Sequence, residues 1–243
     1  MTENFDELAA AWPRILDGIW ITLGLTGGGA ALAMIVAVTL GLMARQPNVL
    51  VRGTARTIIE FFRGTSLVVQ IMWLFYVLPL LGVDLDAMVV GILALGLNYG
   101  AYSAEVVRGS INSVQSGQWE ASTALSMSSF HRMRRIIFPQ AWALMIPSLT
   151  NLLIHLLKGS AIVSFIAIQD LTFHVDQLRL DTSTWFAYGL VGLGIYFIIA
   201  YILTLVMNTL EVRAKHRLGR GESLREMLSL KPPRTTAGTG EPA

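Results

Sequence analysis

Cysteine is missing altogether from the 243 residues. Its absence excludes disulfides and thiolate metal sites, and it leaves the redox compartment unread. Charge is scarce too: Asp, Glu, Lys and Arg make up 14% of the chain, where a soluble domain carries nearer a quarter. No Gly-rich loop of the form G-x-x-x-x-G-K-[ST] occurs, so ATP is not bound through that device. There is no metal-type cluster and no nucleophile elbow, and His131, His155, His174 and His216 are scattered. No cofactor or metal is therefore expected on this chain. A net charge of +2 gives no reason to expect a nucleic-acid partner. A cationic leader is lacking as well, since Met1–Gly18 sets Glu3, Asp6, Glu7 and Asp17 against Arg14 alone, and no secretory signal peptide is expected.

What the chain has is apolar length. Hydrophobic residues make up 53% and the mean hydropathy is +0.58, the balance of a membrane protein. Five runs are nearly free of charge, at Ile19–Ala44, Gly64–Val83, Ala87–Ala104, Ile136–Leu157 and Thr182–Leu210. About 20 helical residues cross a hydrocarbon core, so the expected fold is all-α and polytopic with five transmembrane helices. Pro147 is expected to kink or tilt the fourth. Gly159–Gln169 is apolar but too short to cross, hence a re-entrant or interfacial piece, or one packed inside the bundle. The organisation expected is an extracytoplasmic segment 1–18, a transmembrane domain 19–210 and a cytoplasmic tail 211–243. The end of that tail, from Lys231, is rich in Pro, Gly and Thr and is expected to be disordered.

Cations settle the expected orientation in the lipid bilayer. Arg45, Arg52, Arg56, Arg63, Arg108, Arg132, Arg134, Arg135 and the basic residues after Leu210 fall on one side of a five-span topology. Only Arg14, Lys158 and Arg179 fall on the other. The positive-inside rule then puts the N-terminus outside and the C-terminus in the cytoplasm.

One polar stretch, Gly117–Pro139, interrupts the apolar pattern on the cytoplasmic side. Gln118–Leu125 reads as a short amphipathic helix, too narrow in its apolar stripe for a core helix, and a basic cluster follows it. It is either an ordinary loop or a docking helix. Inside the spans, polar groups are costly and mark candidate solute contacts: Gln70, Asn98, Tyr99, Tyr102, Glu105, Asn151, His155 and Lys158. Glu105 and Arg108 are three apart and are expected to form an ion pair. Asn98 with Tyr102, and Asn151 with His155, sit at i and i+4 and serve either as interhelical hydrogen bonds or as solute contacts. For a zwitterionic solute, Tyr102 offers an aromatic face and Lys158 a donor.

Glu120-Ala121-Ser122, three residues, Ser126, nine residues and then Ile136-Ile137-Phe138-Pro139 resembles the "EAA" cytoplasmic loop of bacterial ABC importer permeases. That pattern is Glu-Ala-Ala, three residues, Gly, nine residues, Ile, any residue, Leu-Pro. The spacing is kept, with Ser122, Ser126 and Phe138 as departures. Glu60–Gln70 (EFFRGTSLVVQ) and Gly100–Gly109 (GAYSAEVVRG) are similar to the polar amino-acid branch of that family, as are Gly117-Gln118 and Pro139-Gln140-Ala141. The branch usually carries Lys-Asp-Thr-Ser-Leu where this chain has Lys158-Gly159-Ser160-Ala161-Ile162, so an acid is gone. The Arg213–Gly221 end is similar to permeases for ectoine-type compatible solutes.

The resemblance, over roughly residues 15–215, implies a MetI-like permease fold in the bacterial inner membrane. It implies an ATP-driven import of a polar amino acid or ectoine-type solute delivered by an extracytoplasmic binding protein. The partners implied are a cytoplasmic ATPase dimer, which would hold ATP and Mg, and a second permease chain, itself or similar. It assigns Glu120, Ala121, Ser122, Leu125, Ser126, Arg132 and Pro139 to ATPase coupling, and makes the chain itself no enzyme. An ion-gradient-driven secondary transporter and a membrane-anchored assembly subunit are the alternatives.

Overall fold

The structure is a computed structural model and describes residues 2–182, 185 and 187–217. Four helices are long and apolar enough to cross a membrane: Glu7–Met43, Ala87–Asn112, Ser129–Ile166 and Leu193–His216. A bent pair, Val49–Gly64 and Leu67–Leu81, whose halves meet at 99°, makes five among the described residues when counted as one span. In chain order the α-helices are α1 (Thr2–Met43), α2 (Val49–Gly64), α3 (Leu67–Met72), α4 (Ala87–Asn112), α5 (Ser116–Ala124), α6 (Ser129–Arg132), α7 (Phe138–Gly159), α8 (Leu171–Thr182) and α9 (Leu193–Arg217). Among the described residues there is no strand.

Several boundaries depart from the apolar runs. The acidic stretch set apart as 1–18 supplies the first turns of α1, which continues without a break to Met43. Charge keeps a segment out of hydrocarbon but does not stop a helix, and Glu, Leu and Ala near this end are good helix formers. At the other end, α9 runs on through 211–217, the start of the supposed tail. The expectation of disorder from Lys231 onward lies outside the described residues, as do residues 183, 184 and 186 at the start of the fifth run.

The second run is not a straight span from Gly64. It breaks at Thr65-Ser66, resumes as α3, widens to a π turn over Trp73–Val77 and tightens to a 3-10 turn over Leu78–Leu81. Pro79 explains the change of pitch, because it lacks an N–H and crowds the carbonyl four residues back. A wide turn just upstream relieves both. The same pairing recurs at Met133–Ile137, a π turn ahead of Pro139. Pro147, by contrast, leaves α7 an unbroken helix. Gly159–Gln169 packs inside the bundle: Ser160–Ile166 continues α7 as a 3-10 helix with Ser160, Val163 and Ile166 buried. Ala167, at φ 60°, then turns the chain toward α8.

α4 is the centre, with 56% of its most apolar window buried, and α9 is the periphery, with 6%. Between lipid-bathed helices, close packing rather than release of water holds partners together, and small residues allow it. The α1–α4 seam shows this directly. A Cβ at Gly100 would lie 2.8 Å from the Val36 side chain, and one at Gly96 would lie 2.6 Å from Leu32. Leu25, Ile71, Leu95, Leu156 and Val163 fill the space where α1, α3, α4, α7 and the 3-10 helix converge. Midway along α1, Thr22 Oγ1 accepts from Leu171 N at 3.1 Å, and buried Asp170 caps α8 by accepting from Phe173 N at 3.0 Å.

Candidate functional site

The 99° elbow between α2 and α3 leaves the last carbonyls of α2 without helical donors. Three side chains supply them. Gln70 Nε2 donates to Phe62 O at 3.0 Å and to Thr65 Oγ1 at 2.6 Å. Asn98 Nδ2 donates to Phe62 O at 3.0 Å and to Gln70 Oε1 at 3.3 Å. Tyr102 donates its hydroxyl to Arg63 O at 3.2 Å, and the Arg63 guanidinium lies 5.4 Å from the Tyr102 ring centroid. Asn98 is buried, where an unmatched amide would be costly. The Asn98–Tyr102 pair therefore holds the elbow.

The same elbow walls a cavity of 430 Å³, within the range of small-molecule sites. Thr65, Ser66, Asn98, Tyr99, Tyr102 and His155 line it with two leucines. Tyr99 reaches across to donate to His155 O at 2.8 Å. Of the residues expected along a solute path, Asn98, Tyr102 and His155 come together here, with Tyr99. Glu105 does not line the cavity; it is held by Arg108, with Arg108 Nη2 2.6 Å from Glu105 Oε2. Asn151 and Lys158 are exposed on α7 and do not line it either. Lys158 is three residues past His155, on the same side of α7 but nearly one turn further along it, beyond the cavity wall. Thr65 and Ser66 were missed as site residues. Their signal was the break in charge and hydropathy after Arg63-Gly64, where a helix ends and exposes its backbone.

Gly159 is buried, and a Cβ on it would come within 2.5 Å of the Tyr99 hydroxyl oxygen. The space an aspartate would need is occupied by that tyrosine. No carboxylate lines the cavity.

The second place of interest is the polar stretch 117–139. α5 ends at Ala124, and Ser126 takes a left-handed conformation at φ 53°. Ser126 N donates to Thr123 O at 2.9 Å and Met127 N to Ser122 O at 3.1 Å, the paired bonds of a Schellman termination. Serine thus makes the turn for which glycine is the usual residue, at a steric cost. Glu120, Ala121, Leu125 and Ser126 are exposed, and Phe130 stands out beside them. Among the described residues Glu120 makes no ion pair. Ser122 is buried, its hydroxyl donating to Trp119 O at 2.8 Å. Pro139 stands in the first turn of α7, directly after the π turn of Met133–Ile137.

Trp119 joins this helix to the bundle. Its ring has the Arg45 guanidinium 5.2 Å from the centroid and the Arg132 guanidinium 5.5 Å away. Arg132 also donates to Thr123 Oγ1 at 2.8 Å, and Gln140 Nε2 donates to Gln118 Oε1 at 3.2 Å. A 430 Å³ hollow lined by Trp119, Glu120, Thr123, Ala124 and Arg132 opens beside the exposed face. Sequence reading found Arg132 but not its partnership with Trp119 and Arg45.

A long α1 and α4 in close contact, a broken second span and a short exposed helix between spans are the build of a transporter's membrane subunit. Residues 33–216 match the family described as binding-protein-dependent transport system inner membrane component, and the chain belongs to it. It is 41% identical to a probable amino-acid ABC transporter permease protein, y4tF, of Sinorhizobium fredii, over 84% of this chain and 90% of that one. It is 32% identical to the L-cystine transport system permease protein TcyB of Bacillus subtilis, over 83% and 87%. Among solved structures, a crystal structure of an amino acid ABC transporter with histidines superposes at a TM-score of 0.78, with 32% identity over 85% of this chain and 96% of that one. The MetNI methionine ABC transporter, inward facing, is 18% identical at a TM-score of 0.68 over 83% and 96%, a likeness of fold.

Proposed function

We propose that this chain is the permease subunit of an ATP-driven importer for a polar amino acid, in the inner membrane with its N-terminus outside and its C-terminus in the cytoplasm. The observation that carries it is the exposed face of the α5–α6 segment, where Glu120, Leu125 and Phe130 point outward while Trp119 behind them is fastened to the bundle. That face is the seat of a separate ATPase dimer, which holds the ATP and Mg. Closing of the dimer displaces α5, and the Arg45–Trp119 stack passes the displacement to the end of α1. A bistable element biased by a ligand is what such coupling requires. An extracytoplasmic binding protein delivers the solute, and a second permease chain, a copy or a similar one, pairs with the exposed side of α7 that carries Asn151 and Lys158.

The elbow cavity is the solute's place in this subunit. Its polar groups are two tyrosines, an asparagine, a histidine and the Thr65-Ser66 hydroxyls. A zwitterion's cation would meet aromatic faces there and no acid. The filling of the Gly159 site by Tyr99 gives a second reading some weight, an ectoine-type solute whose positive charge is delocalised and less dependent on a carboxylate.

Glu120→Lys tests the coupling. The variant is expected to keep its helical content and its place in the membrane, to lose co-purification of the ATPase, and to lose ATP-dependent uptake. Wild-type uptake by this variant would sink the docking reading. Uptake that follows an imposed ion gradient without ATP would instead support a secondary transporter, and no uptake in any state an assembly subunit.

A further inference from the structure

At the arginine-bearing end, α1, α2 and α4 enclose a 220 Å³ cavity lined by Arg45, Arg52, Arg56, Arg108, Asn112 and Ala44. Four guanidinium groups share it, and no carboxylate lines it. The nearby acid, Glu105, is already engaged by Arg108 through Nε at 3.1 Å and Nη2 at 2.6 Å. Arg52 finds only Gln46 O, at 3.4 Å. Arg45 Nη1 is shielded from solvent and has no hydrogen-bond partner. Burial, and then the charge of Arg108, pull the pKa of Arg45 below its ordinary value. A sheltered donor without an acceptor, crowded by like charges, is costly unless an anion completes it.

The surroundings say where that anion comes from. α2 shows Leu50, Ile58 and Phe61 to the outside, positions that share one helical face. α2 runs antiparallel beside α4, with Arg52 and Arg56 at Arg108 and Asn112 and Phe62 at Asn98, so its basic end lies at the arginine-bearing end of α4 with the apolar face toward the acyl chains. Arg52 and Arg56, four apart on α2, then sit at headgroup depth. Planar guanidinium forks match phosphate oxygens two at a time.

We propose that the four-arginine cavity is a phosphate-binding site, completed by one phosphate group of an anionic lipid or by a free phosphate ion. Because Arg45 also stacks on Trp119, the bound group sits one side chain away from α5.

The test uses the full-length protein in vesicles of phosphatidylcholine containing about a fifth phosphatidylglycerol, with a spin-labelled phosphatidylglycerol reporting immobilised lipid. Arg52→Gln/Arg56→Gln should weaken retention of the labelled lipid by at least about tenfold, since each guanidinium–phosphate hydrogen bond lost is worth about tenfold or more. Arg134→Gln/Arg135→Gln removes the same charge from exposed positions nearby and should leave retention unchanged. Displacement of the label by millimolar inorganic phosphate assigns the site to the free ion, and resistance to it assigns the site to lipid. Equal loss in both double variants would mean diffuse surface attraction and overturn the proposal. So would unchanged retention in Arg52→Gln/Arg56→Gln, including the case where only a partner protein is lost. If that double variant does not fold, Arg52→Gln alone carries the same comparison.

Discussion

The α1–α4 seam and the α5 segment are held by opposite means. Along the seam, side chains interlock at distances that leave no room for a single added methyl group, as Gly96 and Gly100 show. At α5, the attachments are one stacked tryptophan, two arginines and a glutamine pair, and most side chains face outward. The first region can transmit force only as a rigid body. The second can detach, swing or be grasped at small cost, which is what a contact with an exchanging partner demands.

The comparison breaks most visibly with matched insertions. Gly100→Leu should destabilise by about 3 kcal/mol or more and abolish accumulation of folded protein, read by size-exclusion of a fluorescent fusion. Gly117→Leu, where a new Cβ meets nothing within 4 Å, should stay within about 0.5 kcal/mol of wild type. Equal losses at both sites would remove the distinction.

Burial behind the seam also predicts a pH effect. Burial lifts the Asp170 carboxyl from 3.8 to about 6, opposed by the Phe173 amide on Oδ1, while Oδ2 has no hydrogen-bond partner among the described residues. The folded state therefore holds this proton more tightly than the unfolded state, and stability falls as pH rises from about 4 through about 6, by roughly 3 kcal/mol in all. Melting temperatures in detergent should show that decline, and Asp170→Asn should flatten most of it.

Trp119→Ala sharpens the other half. It removes two cation–π contacts of about 0.5–1 kcal/mol each, so the melting temperature should drop modestly while uptake falls far more steeply. A variant whose uptake fell only in proportion to its stability would show α5 to be a plain loop. Smallest of all, Ser126→Gly should stabilise by about 1 kcal/mol by relieving the left-handed turn, seen as a small upward shift in melting temperature.

The spans were legible because a run such as Ala87–Ala104 needs only length and lack of charge to declare itself, and α4 follows it closely. The elbow was not, since Gly64-Thr65-Ser66 contains no proline and its bend is held by Asn98 and Tyr102 from a distant helix. The same holds for the stack on Trp119, whose partner Arg45 lies on another helix end; a pairing across the fold leaves no mark in local spacing. Ser126 was legible as a departure, but whether it ended α5 depended on a backbone angle. The Glu105–Arg108 pair, three residues apart on one helix, could be read in full.

α1 is 42 residues long, a rod of about 63 Å, or twice the thickness of a hydrocarbon core. On the proposed coupling, the Arg45 end beside α5 is the hinge of a lever. A tilt of about 5° about that end would sweep the far end through about 5 Å. Because α8 packs against the outer half through Ala11 and Ile15, a stroke begun at the tryptophan stack would arrive, enlarged, at the opposite mouth of the protein.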